Sequence, residues 1–147
     1  MRSARPAFWD ASAIVPLCVP EYTSAALHRL TLEHHPLIVW WGTSVEIFSA
    51  LARLAQGGSI TTDSLERARI SLVELRSSWV EIFPSDQVRS LAEEMPLRHH
   101  LRAGDALQLA AALVWCGGQP RDRSFVCLDR RLAHAAAQVG FTVHSQI

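Results

Sequence analysis

Pro36–Trp41 reads PLIVWW, six residues with no charged or hydrogen-bonding side chain until the indole of Trp40. A strand with one wet face alternates apolar and polar residues, because successive side chains point to opposite sides. A run apolar throughout is the signature of a strand in a sheet covered on both faces. Similar short runs lie on either side. Ala7-Phe8-Trp9 ends at Asp10; Trp79–Phe83 (WVEIF) is closed by Pro84; Ser124–Leu128 (SFVCL) ends at Asp129; Phe141–His144 is a short fifth run. Segments of helical period separate them. Residues 22–34 carry Ala26, Leu27 and Leu30, and residues 44–56 carry Val45, Phe48, Leu51, Ala52 and Ala55 before Gly57-Gly58. Residues 61–78 open on Thr62 or Asp63 as a cap and repeat Leu65, Ala68, Leu72 and Leu75. Residues 85–95, 102–116 (stopped by Gly117-Gly118) and 130–139 (ending before Gly140) complete the set. This β-α-β alternation predicts the α/β class, with a doubly wound, mostly parallel sheet of about five strands.

The 147 residues suit one domain, 1–147, since no linker, repeat or low-complexity stretch divides them. Hydrophobic residues make up 49% and charged residues 19%, a globular balance. The most apolar stretch, Ala103 to Trp115, is broken by Asp105 and Gln108 and does not read as a bilayer span. Arg2 and Arg5 are not followed by an apolar run of signal length. A soluble cytoplasmic protein is expected. Cys18, Cys116 and Cys127 have no C-x-x-C spacing and read as small buried apolar residues. The formal net charge is zero, unlike most non-specific nucleic-acid binders, yet all 14 basic side chains are arginine, the residue that forks onto phosphate.

In a parallel sheet the carboxyl ends of the strands share one edge, where ligands bind near the reversal of strand order. Asp10 and Asp129 end two strands. Glu46 lies in the first turn of the helix after another, and Asp105 opens the helix feeding the strand at 124–128. Four acids from distant parts of the chain are therefore expected at one edge. Each also has a local explanation. Asp10 and Asp129 precede helices as N-caps, Thr43 and Glu46 spell a capping box, and Asp105 sits where the helix dipole favours an anion. Carboxylates clustered among apolar neighbours repel, and a divalent cation relieves that repulsion. Oxygen-only ligands favour Mg²⁺ or Mn²⁺ over zinc, and such ions activate water for phosphodiester hydrolysis.

Four segments, FWDASAIVPL (8–17), TSVEIFSALARL (43–54), LRAGDALQLAAAL (101–113) and SFVCLDRRLAHAAAQVGF (124–141), resemble the four motifs of PIN-domain ribonucleases, and more narrowly the VapC-type toxins of toxin–antitoxin pairs. The resemblance runs in order over nearly the whole chain. It implies a three-layer α/β/α sandwich and an Mg²⁺- or Mn²⁺-dependent endoribonuclease whose motif acids are Asp10, Glu46, Asp105 and Asp129. It further implies an RNA substrate, a homodimer and a cognate antitoxin. Ser12 matches the D-x-S/T of the first motif, in position for a water or a phosphate.

Arg102, Arg130 and Arg131, with Arg98, His99 and His100, are placed to rim such a cleft and touch RNA phosphates, or else are solvated helix ends. Receiver domains and haloacid-dehalogenase-type phosphatases use a strand-end aspartate with a lysine, and this chain has no lysine. Neither G-x-G-x-x-G nor GK[ST] nor G-x-S-x-G occurs. The remaining rival is a non-catalytic RNA- or protein-binding module in which the acids are only caps.

Overall fold

The computed structural model describes residues 3–145; Arg2, counted above, lies outside them. Five parallel strands form one sheet: β1 (Ala7–Trp9), β2 (Leu37–Trp40), β3 (Val80–Ile82), β4 (Ser124–Val126) and β5 (Thr142–His144), in the order β3-β2-β1-β4-β5. The chain steps outward from β1 to β2 to β3, then crosses back to β4 and out to β5. Strand order therefore reverses between β1 and β4, whose register pairs Phe8 with Phe125 and Trp9 with Val126. The expected α/β/α sandwich is present, with a sheet that is parallel throughout.

The apolar runs have the physical cause the sequence implies. Phe8, Ile38, Trp40 and Phe125 point into one core with Val88, Leu109, Leu132 and Phe141. Ala7, Trp9, Leu37, Val39 and Val126 point into the other with Ile14, Leu27, Ile47, Leu51 and Leu72. Alternate side chains serve opposite cores, so neither face of the central strands tolerates a polar residue. The first core is roofed by α5 (Asp86–His99), α6 (Ala103–Trp115) and α7 (Arg130–Val139). The second is roofed by α1 (Ala11–Cys18), α2 (Ser24–Glu33), α3 (Thr43–Gln56) and α4 (Thr62–Arg76). All three cysteines are buried and unpaired.

Three local expectations need correction. Helix α5 was expected to stop at residue 95, ahead of Pro96; it runs through Pro96 to His99 and ends on His100 in the left-handed conformation (φ 56°). Packing of Val88, Ala92 and Met95 into the first core holds the helix past the proline. The cap of α4 is Thr61, whose hydroxyl accepts from the Ser64 N–H, rather than Thr62 or Asp63. The capping box at Thr43 does not form. Gly42 occupies the N-cap position, and the Thr43 hydroxyl is committed elsewhere. Gly140 closes α7 at φ 116°, where a β-carbon would meet Pro120 at 3.1 Å, so no other residue fits there without strain.

Candidate functional site

The reversal of strand order opens a crevice beyond the ends of β1 and β4. Asp10 stands at its base, 3% exposed. It caps α1, its Oδ2 accepting from the Ser12 N–H at 3.1 Å and the Ser12 hydroxyl at 2.6 Å. Its own N–H donates to the Val126 carbonyl at 3.0 Å, pinning it to β4. Ser12 Oγ in turn accepts from the Leu128 N–H at 2.9 Å. The serine of the D-x-S sequence thus clamps the start of α1 to the loop after β4, and its first role is to fix Asp10. Cys127 Sγ lies below, 3.8 Å from Asp10 Oδ2 and 3.3 Å from the Asp129 carbonyl. Asp129 caps α7, its Oδ1 accepting from the Leu132 N–H at 2.9 Å.

The other two acids come from helices on opposite faces of the sheet. Glu46 is in the first turn of α3 and Asp105 in the first turn of α6. Gln108, fully buried, ties these helices together: its Nε2 donates to Thr43 Oγ1 at 3.0 Å and to Glu46 Oε2 at 3.3 Å. The helix start is close enough that a β-carbon on Gly104 would lie 3.5 Å from Glu46 Oε1.

Asp10, Glu46, Asp105 and Asp129 line one cavity of about 490 Å³, together with Ser12 and Arg53 among others. Its electrostatics are those of crowded, partly dried carboxylates. Burial raises the Asp10 carboxyl above its ordinary value, with a further push from Asp129, against the hydrogen bonds from Ser12. Burial, then the charges of Asp10 and Asp105, push Glu46 up to about 7, while the Gln108 bond pulls the other way. Burial, then Asp129 and Asp10, push Asp105 up to about 6, with Arg102 and Arg131 pulling it down. Glu46 is therefore about half protonated near neutral pH, and a bound cation would displace that proton.

The lining supplies four carboxylates and the hydroxyls of Ser12 and Ser49, with no imidazole or thiol, which fits a hard divalent ion. Among the described residues, no group of three or more His, Cys, Asp and Glu side chains stands close enough to hold an ion as the side chains are set. The acids share a cavity without forming a closed ligand shell. Asp10, Glu46 and Asp129 each turn an oxygen to a donor of the protein: Ser12, Gln108 and Leu132.

Of the other residues singled out in the sequence, Arg102 and Arg131 act on Asp105 through their charge but do not line the cavity. Arg130 is exposed at the start of α7. Arg98 leans toward Glu94, and His99 Nδ1 lies 3.1 Å from Gln138 Oε1, away from the acids. Sequence reading passed over Arg53 and Gln108. Both carry a signal: Glu46, Ser49 and Arg53 recur at i, i+3 and i+7 on α3, and Asp105 and Gln108 at i, i+3 on α6, so each pair shares a helix face.

No protein-family model and no curated protein sequence matches the chain. The fold defines a three-layer α/β/α protein with an acid-lined cavity at the reversal of strand order. Among solved structures it is similar to the crystal structure of PAE2754 from Pyrobaculum aerophilum, with a TM-score of 0.62 and 21% identity over 96% of this chain and 87% of that one. That likeness is one of fold.

Proposed function

We propose that the protein is a metal-dependent endoribonuclease of the PIN-domain type, the toxin of a toxin–antitoxin pair, acting in the cytoplasm. The observation that carries the reading is the convergence of four carboxylates from four separated segments on one cavity. Further support comes from motif order and from the raised proton affinities of Glu46 and Asp105. No helix among the described residues is long and apolar enough to cross a membrane. A homodimer and a cognate antitoxin rest on the family resemblance.

Asp10, Glu46, Asp105 and Asp129 would hold Mg²⁺ or Mn²⁺. Such an ion, when bound, activates water and neutralises charge on the phosphoryl oxygens. The chain's own part is positional. Ser12 and Leu132 orient Asp10 and Asp129; Gln108 keeps Glu46 turned toward α6; Arg102 and Arg131 temper the charge at Asp105. Glu46 must lose its proton to become a ligand, so metal affinity rises with pH between about 6 and 8. The caps at Asp10 and Asp129, with no closed ligand shell, favour the second reading, a non-catalytic RNA- or protein-binding module of the same fold.

An assay of RNA cleavage in Mn²⁺, in EDTA, and with Asp10→Ala and Asp105→Ala separates the two. The nuclease reading expects cleavage that EDTA and either substitution abolish while the variants stay folded by circular dichroism. Cleavage that persisted through both chelation and substitution would refute it, and binding of RNA or a protein without any cleavage would select the second reading.

A further inference from the structure

Arg53 is a cation set at the mouth of an acidic cavity, yet among the described residues it makes no ion pair. Its Nη1 donates instead to Ser49 Oγ at 2.9 Å, one turn back along α3. That bond orients the guanidinium and leaves most of its five N–H donors unused. The side chain is exposed and reachable. The cations that pull the Asp105 carboxyl down are Arg102 and Arg131, outside this helix. Seven residues of helix separate it from Glu46, about 10 Å at the usual rise. Exposed, held by one bond to Ser49 and in no ion pair among the described residues, the guanidinium is available to a ligand.

The surface around it has a direction. A second, shallower groove of about 340 Å³ adjoins the acid-lined cavity and shares Ser12, Val15, Ala50 and Arg53 with it. Beyond them the groove is bounded by Leu54 and Glu21. The path thus leaves the four acids over a floor of Val15, Ala50 and Leu54, with Arg53 as its cation and Glu21 as a negative charge at its far end. An apolar floor beside a forked cation suits single-stranded nucleic acid, in which a sugar or base face lies on apolar surface while a phosphate takes the guanidinium.

We propose that Arg53 anchors the phosphate next to the one that is cut, so that single-stranded RNA leaves the acid-lined cavity along α3 over Val15, Ala50 and Leu54. This deepens the nuclease reading and rests on it. Arg53 is then a substrate-binding residue: it acts on the ground state and the transition state alike, raising KM when lost without slowing the chemical step.

The test compares wild type with Arg53→Ala and Arg53→Lys. The probe is a short fluorescent single-stranded RNA, measured for binding by anisotropy in Ca²⁺ and for cleavage in Mn²⁺. Arg53→Ala is expected to bind about tenfold more weakly, with the loss in KM rather than kcat, and to flatten the dependence of log K on log salt by about 0.7. Arg53→Lys restores the salt dependence but only part of the affinity, because a point charge replaces the fork. Substituting one neutral methylphosphonate linkage at a time should weaken wild-type binding most at the linkage beside the cleavage site, and that penalty should vanish in Arg53→Ala. Wild-type cleavage with an Arg53→Ala variant unchanged in KM, salt slope and methylphosphonate profile overturns the anchor and leaves the nuclease reading standing. A wild-type protein that neither cleaves nor binds RNA overturns both.

Discussion

Two clusters of titrating side chains lie in this molecule, and burial drives both towards the uncharged form with opposite consequences. One is the acid-lined cavity beyond β1 and β4. The other is a histidine pair, His34 at the C-terminal end of α2 and His144 on β5. His34 and His144 have ring centroids 4.5 Å apart; His34 Nδ1 is buried without a partner among the described residues, and His144 Nε2 lies 3.3 Å from Ser124 Oγ. Desolvation lowers both imidazoles below their ordinary value of 6.5; Glu33 opposes this for both, and His34 further lowers His144. An uncharged carboxyl carries its proton, whereas an uncharged imidazole has lost it. The acids therefore contribute stability that is complete below about pH 4, the unfolded range, and is lost as pH rises through about 6 for Asp105 and about 7 for Glu46. The histidines contribute stability that is complete above 6.5 and lost as pH falls below it. A fold that wanted only stability would fill the cavity with apolar side chains. Crowded carboxylates at a ligand-binding edge are a cost a function explains.

That contrast can be broken at several points. The largest effect is expected from Asp10→Asn. The amide keeps the cap on α1 but removes a buried charge, so RNA cleavage falls more than about a hundredfold. Over the same change the thermal midpoint in EDTA at pH 8 rises. A fall in that midpoint would mean the charge is not repelled at all. Next comes Glu46→Gln. Denaturant titration in EDTA should find it more stable than wild type by about 1 kcal/mol at pH 8, after allowance for its partial exposure, and no more stable at pH 4. Equal gains at both pH values would assign the effect to packing. The smallest effect belongs to the other cluster. His144→Phe should reduce by a few degrees the loss of thermal midpoint between pH 7 and pH 5, leaving RNA cleavage untouched. An unchanged acid sensitivity would release the histidine pair from this role.

Much of the fold was legible because its central strands are buried twice over. Leu37–Trp40 and Ala7–Trp9 could be read as strands from composition alone, since no helix face or half-wet strand needs every residue apolar. The helix α5 was harder. Pro96 is a local stop signal, and only the cost of withdrawing Met95 from the core overrides it. Thr43-x-x-Glu46 spells a capping box, yet Gln108, 65 residues from Thr43, takes the hydroxyl. A partner that remote leaves no trace in a window of sequence. The histidine pair was missed for the same reason: His34 and His144 are far apart along the chain and meet only in the folded molecule.

Residue type, apolar runs and the order of elements were enough to predict a parallel sheet with Asp10, Glu46, Asp105 and Asp129 at its carboxyl edge, because strand direction and helix direction are local properties that topology merely assembles. Tertiary structure alone decided the spacing of the four acids and which protein donors hold their oxygens. It also decided that Arg53 lines the same cavity, held by Ser49. Those are distances between atoms far apart along the chain, and they are fixed by how side chains of two cores pack.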